Sequence, residues 1–175
     1  MPADLTIFVA KYLVFLDGLL ALAVIAWLLA RRPRADAVRW AIAILLLLFL
    51  SFVFATIGAA VYSDPRPFSV DHVKPLIPHA ADNGFPSDHA LLAAAIVAAV
   101  LIIAPLWTAP FVVLGVLVDW ARVGAGIHHV SDVVGSVVFV AIATLIAVLV
   151  TPFIYRALTP YLPASWTEEP VQSTP

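Results

Sequence analysis

The chain has 175 residues, of which 63% are hydrophobic and only 11% are charged. This composition is typical of an integral membrane protein and excludes an ordinary water-soluble globular domain. The net charge of -2 argues against a nucleic-acid-binding surface, and the lack of cysteine excludes disulfides, thiolate chemistry and cysteine-ligated zinc. At this length we expect one domain.

Long apolar stretches predict an all-α, polytopic membrane bundle of about five transmembrane helices. The predicted spans are residues 5–30, 40–62, 84–104, 111–123 and 130–153. The fourth is short for a full crossing unless the helix extends over 106–125. We interpret the first stretch as a retained helix, because its early charges and the arginines after it fit a signal peptide poorly.

Basic residues predict the orientation of the bundle. Residues 31–39 form a short loop with four arginines, which the positive-inside rule places in the cytoplasm, and Arg156 follows the last span on the same side. We predict a membrane domain over 1–158 and a polar, flexible cytoplasmic tail over 159–175. The protein is then a multi-pass plasma membrane protein whose amino terminus lies outside.

Three polar segments interrupt the apolar sequence, and this topology puts all three on the outer membrane face. Pro65 and Pro67 flank Arg66 after the second span, which fixes extended backbone there. The other two segments are Pro86–His89, at the start of the third span, and Ala121–Asp132, between the fourth and fifth. All five histidines of the chain also fall on this face. Their convergence predicts one site.

The third polar segment has the residue types of an anion site with an activated histidine. Asp132 follows His128 at i+4, so a helix beginning near His128 brings carboxylate and imidazole together. Arg122 supplies a planar set of donors suited to phosphate or carboxylate. The alternative is that these side chains only reach toward lipid headgroups. Ser87 is a candidate N-cap, and the first turn of its helix would present free N–H groups to an anion.

Together these residues match what phosphoryl transfer needs. The equatorial oxygens must be neutralised, which Arg66 and Arg122 can do, and two histidines remain to attack and to protonate the leaving oxygen. This chemistry needs no metal, and we predict no cofactor. A metal site built from histidine and aspartate is less favoured, because interleaved arginines repel a cation.

The same segments resemble the signature of the type-2 phosphatidic acid phosphatase superfamily. Its motifs are Lys-x6-Arg-Pro, Pro-Ser-Gly-His and Ser-Arg-x5-His-x3-Asp, which correspond here to Arg66-Pro67, to Pro86-Ser87-Asp88-His89, and to Arg122, His128 and Asp132. The second motif, preceded by Gly84-Phe85, looks most like that of the bacterial undecaprenyl-pyrophosphate phosphatases. The resemblance implies a metal-independent lipid phosphatase that forms a phosphohistidine on His128. It also implies that Asp132 orients this nucleophile, that His89 is the general acid, and that phosphate is bound by Arg66, Ser87 and Arg122.

The chain departs from the family pattern at several positions. The lysine of the first motif would fall at Ala59, and Lys74 is a candidate substitute. Ala121 replaces the serine of the third motif. Asp88 replaces glycine, and it either stabilises the first turn of a helix or raises the pKa of His89.

The remaining histidines are not predicted to act in the site. Adjacent residues of a helix do not share a face, so we interpret His129 as an interfacial residue. His72 and His79 are interpreted as loop residues.

The leading hypothesis is therefore hydrolysis of an isoprenoid (undecaprenyl) diphosphate to the monophosphate at the outer surface of a bacterial membrane. A second hypothesis keeps the site and changes the substrate to phosphatidic acid or phosphatidylglycerol phosphate. A small transporter is a third, disfavoured because the charges lie at one interface and not at mid-depth. The expected partners are the lipid phosphate and the surrounding lipids, with no nucleic acid, and the sequence leaves the oligomeric state open.

Overall fold

The computed structural model describes residues 2–167, and the regular elements in that range are helical, which confirms the predicted all-α class. A π-helical turn, Val9–Leu13, joins the first two helices into one continuous rod. Short 3-10 turns occupy Pro105–Trp107, Thr159–Tyr161 and Ala164–Trp166. The α-helices are α1 (Ala3–Phe8), α2 (Val14–Leu29), α3 (Arg34–Val61), α4 (Pro67–Val70), α5 (Asp88–Ile103), α6 (Thr108–Gly124) and α7 (Val130–Leu158).

Four of the five predicted spans are long and apolar enough to cross a membrane: Ala3–Leu29, Arg34–Val61, Pro105–Gly124 and Val130–Tyr161. The predicted third span is a shorter helix, because α5 has 16 residues. At 1.5 Å per residue it is about 24 Å long, which is less than the roughly 30 Å of a hydrocarbon core. Three predicted boundaries were wrong by four residues or more: α3 begins at Arg34, directly after Pro33, α5 begins at Asp88, and α7 continues through Pro152 to Leu158.

Helix α5 lies at the centre of the bundle. It packs with α2 and α6 around Val14, Phe111 and Val118, and with α3 and α7 around Leu47 and Val140. Small side chains allow helices to approach closely in an apolar environment, where packing and not water exclusion drives association. Half of α5 is buried, mostly as alanine: Ala90, Ala93, Ala95, Ile96, Ala98, Ala99, Val100 and Ile103.

Asn83 fixes the long loop between α3 and α5 to the end of α3. Its Oδ1 accepts the N–H groups of Asp64 (2.9 Å) and Phe85 (3.0 Å). Its Nδ2 donates to the carbonyls of Ala59 (3.3 Å) and Tyr62 (3.1 Å). The loop therefore has a defined path, although its regular structure is limited to the single turn of α4.

The basic residues lie at the opposite end of the bundle from this loop. Arg39, near the start of α3, lies 4.6 Å above the ring of Tyr155, near the end of α7. The tail turns back beside the same helix, where the hydroxyl of Tyr155 donates to the carbonyl of Trp166 at 3.5 Å. The predicted cytoplasmic side of these residues stays a prediction, and residues 168–175 of the predicted flexible tail lie outside the described range.

Candidate active site

His128 lies at the centre of the candidate site, just before α7 begins. Its Nδ1 is 3.2 Å from Asp132 Oδ2, and the same oxygen accepts the backbone N–H of His129 at 2.8 Å. His129 is the N-cap of α7 and Asp132 its third helical residue, so the carboxylate caps the helix and orients the imidazole together. The contact predicted from the i+4 spacing is present, although His128 itself precedes the helix.

Two guanidinium groups converge on the other nitrogen of this ring. Arg66 Nη1 lies 3.3 Å from His128 Nε2, and Arg122 Nη2 lies 3.2 Å from it. If Nδ1–H donates to Asp132, Nε2 carries a lone pair directed at N–H donors from both sides. A phosphorus atom approaching Nε2 would bring its oxygens to the same donors.

Arg66 is held in place from three directions. The β/extended backbone at Arg66 agrees with the restriction expected beside proline. Its Nε donates to Asp82 Oδ1 at 2.6 Å, its Nη1 to the carbonyl of Ile127 at 2.9 Å, and its Nη2 to the carbonyl of Asn83 at 3.5 Å. These contacts leave the guanidinium little freedom to rotate away from His128.

Arg122 depends on the first helix, which sequence reasoning did not connect with the site. Its Nη1 donates to the carbonyl of Ala10 at 3.4 Å. Ala10 lies in the π-helical turn, and such a wider turn alters the usual helical pairing of carbonyls. Arg122 Nε is buried without a hydrogen-bond partner in the described structure, so this guanidinium retains unused donor capacity.

The electrostatics of the site favour a neutral imidazole. Burial is the largest cause that lowers the pKa of His128, and the two nearby arginines lower it further, while the hydrogen bond to Asp132 opposes them. A lowered pKa keeps the Nε2 lone pair available at neutral pH. The hydrogen bond from Arg66 lowers the pKa of the exposed carboxyl of Asp82, so this partner of Arg66 stays ionised.

A cavity of about 490 Å³ lies beside His128. Arg66, His89, Arg122 and His128 all line it, as predicted from their shared membrane face. Asp88 and Ala59 line it too, so the position expected for the missing lysine does face the site. Part of its lining is apolar, including Phe52, Ala55 and Leu91.

The other predicted site residues, Asp132, Ser87 and Lys74, are not among the described residues that line the cavity. Asp132 and Ser87 are completely buried. Ser87 is the N-cap of α5, which confirms the predicted cap, and its Oγ accepts the N–H of Ala90 at 3.5 Å. Phosphate binding by Ser87 or Lys74 therefore stays a prediction.

Two ionisable residues of the cavity wall, His79 and Asp82, were not predicted to belong to the site. His79 lies in the loop, as interpreted, and its ring centroid is 6.5 Å from that of His128. Its Nδ1 lies 3.9 Å from Asp82 Oδ1, beside the Arg66 pair. The signal available in the sequence was their position, since His79 and Asp82 lie seven and four residues before Pro86, where the second polar motif begins.

His129 is not among the described residues that line the cavity, and it contacts two carboxylates; its interfacial position stays a prediction. Its Nε2 is 3.0 Å from Asp71 Oδ2, and its Nδ1 is 3.2 Å from Asp64 Oδ1. Among the described residues, Asp64, His129 and Asp132 form one group of potential metal ligands, with atoms within 4.8 Å of one another. Predicted metal independence therefore stays a prediction that needs an assay.

Comparison with known families decides the class of the protein. The PAP2 superfamily matches residues 40–157, which include the three polar segments. The chain belongs to the PAP2 superfamily. This membership confirms the resemblance in the motifs and supports a membrane phosphatase.

Two relatives of this PAP2 protein carry related names. Undecaprenyl-diphosphatase BcrC of Bacillus subtilis (strain 168) is 46% identical over 78 residues, which cover 45% of this chain and 40% of BcrC. Putative undecaprenyl-diphosphatase YbjG of Escherichia coli (strain K12) is 32% identical over 156 residues, 89% of this chain and 74% of YbjG. The alignment thus spans less than half of the Bacillus relative. No solved structure matches the chain.

Proposed function

We propose that this PAP2 protein hydrolyses an isoprenoid diphosphate to the monophosphate through a phosphohistidine on His128. The observation that carries the proposal is the pair of guanidiniums at Nε2, while Asp132 occupies Nδ1. This arrangement supplies an oriented nucleophile and positive charge for the oxygens that surround it. The names of the two relatives support the diphosphate as substrate.

The proposed reaction has two steps. In the first, the Nε2 lone pair of His128 attacks the terminal phosphorus, and the bond to the bridging oxygen breaks. His89, in the same cavity, donates a proton to the departing lipid monophosphate. In the second, water attacks the phosphorus of the phosphohistidine while His89 takes up a proton from that water. Cleavage of the phosphorus–nitrogen bond then returns the imidazole and releases inorganic phosphate.

Two features of the cavity favour a diphosphate over a monophosphate ester such as phosphatidic acid. Ala59 provides no cation where the family motif has lysine, and Asp88 adds a carboxylate to the wall. A monoester would therefore be held mainly by the two arginines. A diphosphate brings additional oxygens that can reach further donors, including His79. Phosphatidic acid or phosphatidylglycerol phosphate remains the alternative substrate class.

The proposal is tested by phosphate release from purified protein in detergent, with farnesyl diphosphate and phosphatidic acid presented separately. The diphosphate should have the higher kcat/KM, and a chelator should leave its turnover unchanged. If phosphatidic acid has the higher value, the substrate assignment is wrong. Loss of activity with chelator, restored by a divalent cation, would refute metal independence.

Histidine variants test the assigned roles. His128→Ala should abolish turnover of every substrate, because no nucleophile remains. His89→Ala should slow a lipid phosphate more than a nitrophenyl phosphate, whose leaving group needs no proton. Equal losses on both substrates would contradict general-acid catalysis by His89. His72→Asn is the control, because His72 is exposed, lies outside the cavity and has a left-handed backbone that asparagine tolerates.

We further propose that the site faces outward from the plasma membrane of a bacterium. Because the chain has no cysteine, single cysteines can report orientation with an impermeant thiol reagent. Ala81→Cys, near the site, should label in intact cells, while Arg32→Cys, at the basic end, should label only after lysis. The reverse pattern would invert the topology.

A further inference from the structure

An apolar groove of about 470 Å³ runs along the bundle between α2, α3 and α5. Its lining residues are all apolar, including Phe15 of α2, Leu48 of α3, and Leu92 and Ala95 of α5. Leu48 and Leu92 stand at its outer edge, with 46% and 41% of their surfaces exposed. The groove is therefore open toward the hydrocarbon of the membrane.

This groove, the α2–α3–α5 groove, begins where the active-site cavity ends. On α3, Leu48 of the groove lies one turn from Phe52 of the cavity. On α5, Leu92 of the groove lies one turn from Asp88 of the cavity, and Ala95 of the groove lies one turn from Leu91 of the cavity. On the third side, the ring of Phe15 packs edge-on against His89, with centroids 6.1 Å apart.

We propose that the α2–α3–α5 groove binds the hydrocarbon chain of the lipid substrate, a step that rests on the proposed phosphatase function. The chain is attached to the leaving oxygen, and His89 is the residue proposed to protonate that oxygen. A chain leaving the cavity beside His89 meets Phe15 and enters the groove. Ala99, at the far end of the lining, is ten residues beyond His89 and about 15 Å deeper in a helix.

A second apolar cavity, between α5, α6 and α7, has a volume of about 570 Å³ but fits this role less well. Like the α2–α3–α5 groove, it shares no lining residue with the active-site cavity, but the groove has in addition the ring contact between Phe15 and His89. Its wall includes Asp119, whose Oδ1 is buried without a hydrogen-bond partner in the described structure. Covering a carboxyl group with a hydrocarbon chain is unfavourable, whereas the α2–α3–α5 groove presents no such group.

The groove should act mainly by positioning the substrate. Membrane lipid is as apolar as the groove, so moving a hydrocarbon chain between them gains little binding free energy. A chain held at a fixed place instead aligns the diphosphate with His128 and His89, and misplacement by about 1 Å can cost on the order of a hundredfold in rate. Filling the groove should therefore lower kcat/KM for substrates whose chains are long enough to enter it.

The test compares matched leucine-to-tryptophan variants. Leu48→Trp and Leu92→Trp place an indole at the edge of the α2–α3–α5 groove. Leu145→Trp and Leu101→Trp place it at similarly exposed positions, 61% and 47%, in the α5–α6–α7 cavity. Leu92 and Leu101 lie on the same helix, so they form the closest pair.

The readout is the ratio of kcat/KM for farnesyl diphosphate to that for dimethylallyl diphosphate. These substrates have the same reacting groups and differ in chain length. Leu48→Trp and Leu92→Trp should each lower the ratio about tenfold, and the control variants should keep the wild-type ratio. Thermal unfolding in detergent identifies a misfolded variant. If one groove variant is misfolded, the other groove variant decides the test, and the same holds for the two control variants.

The outcomes separate this inference from the proposed function. If wild-type protein hydrolyses neither diphosphate, the proposed function fails. If it hydrolyses both and the groove variants keep the wild-type ratio, the function stands and the groove assignment is wrong. A lower ratio only in the Leu101→Trp and Leu145→Trp variants would place the chain in the other cavity and also overturn the inference.

Discussion

The most informative perturbation is Asp132→Asn, because it removes a charge while keeping the size of a fully buried side chain. Asp132 Oδ2 holds both the His128 ring and the N–H of His129. An amide oxygen can keep the bond to the backbone of His129. It cannot supply the negative charge that would stabilise the imidazolium character developing in the proposed attack of His128 on phosphorus.

The magnitude follows from that single bond. A hydrogen bond to a charged group contributes about 1.5–3 kcal/mol, against about 1 kcal/mol for a neutral one. Since 1.36 kcal/mol corresponds to a factor of ten, losing about 1–2 kcal/mol lowers kcat by about 5- to 30-fold. If the amide turns its NH₂ toward His128, the wrong tautomer is stabilised and the loss exceeds this range.

The assay is phosphate release at saturating farnesyl diphosphate, with thermal unfolding measured in the same detergent. Asp71→Asn is the matched control, because Asp71 is exposed and its carboxylate lies 3.0 Å from His129 Nε2, but it makes no described contact with His128 or Asp132. It should retain kcat within about threefold, as expected for a residue outside the reacting set. Equal losses in the two variants, or none in Asp132→Asn, would refute the role of Asp132 in orienting the nucleophile.

Two further predictions concern the loop that carries His128. Gly126 has φ +70°, and an added Cβ would lie 2.9 Å from Val73 Cγ1. Gly126→Ala should therefore destabilise the protein by about 1–2 kcal/mol or more and lower its activity. Gly115→Ala is the control: a Cβ there would make only ordinary van der Waals contacts, so neither stability nor activity should fall. The hydrogen bond to Asp71 raises the pKa of His129, so its contribution to stability should be complete below the unfolded pKa of about 6.5 and decline as pH rises through the folded value. The difference in Tm between wild type and His129→Gln should therefore be larger at about pH 5.5 than at about pH 8.5, and the reverse order would contradict the assignment.

The sequence contained enough to predict the helices and the main residues of the site. The length of the apolar stretches predicted most of the long helices. Because successive spans cross the membrane in opposite directions, their order also predicted that Arg66, His89 and His128 lie at one end of the bundle. The i+4 spacing predicted the contact of His128 with Asp132. Each of these predictions depends on local sequence, or on whether an odd or an even number of membrane crossings separates two segments. Both can be read from a single sequence.

The parts that could not be predicted depend on contacts distant in sequence. Ala10 supports Arg122 through a backbone carbonyl, and every residue has one, so no side-chain pattern marks it. His79 enters the cavity because Asn83 fixes the loop to the end of α3, which no periodicity records. The predicted span that contains α5 was also too long, because residues 84–87 belong to the loop and the helix begins only at Asp88.

Ala59 offers a final test of how the site selects its substrate. Ala59 lines the cavity. A lysine at this position, where the family motif has one, would therefore place a cation near the bound phosphate. A monoester, held chiefly by Arg66 and Arg122, should gain more from that third cation than a diphosphate with additional oxygens and partners.

We therefore expect Ala59→Lys to raise kcat/KM for phosphatidic acid about tenfold, consistent with a charged hydrogen bond of about 1.5 kcal/mol, and that for farnesyl diphosphate much less. Ala59→Met controls for the length of the side chain, because it fills similar space without charge. If methionine gives the same gain as lysine, packing and not charge limits the monoester. If lysine improves both substrates equally, the missing cation does not set the preference, and the arginine pair alone must account for the binding of either lipid.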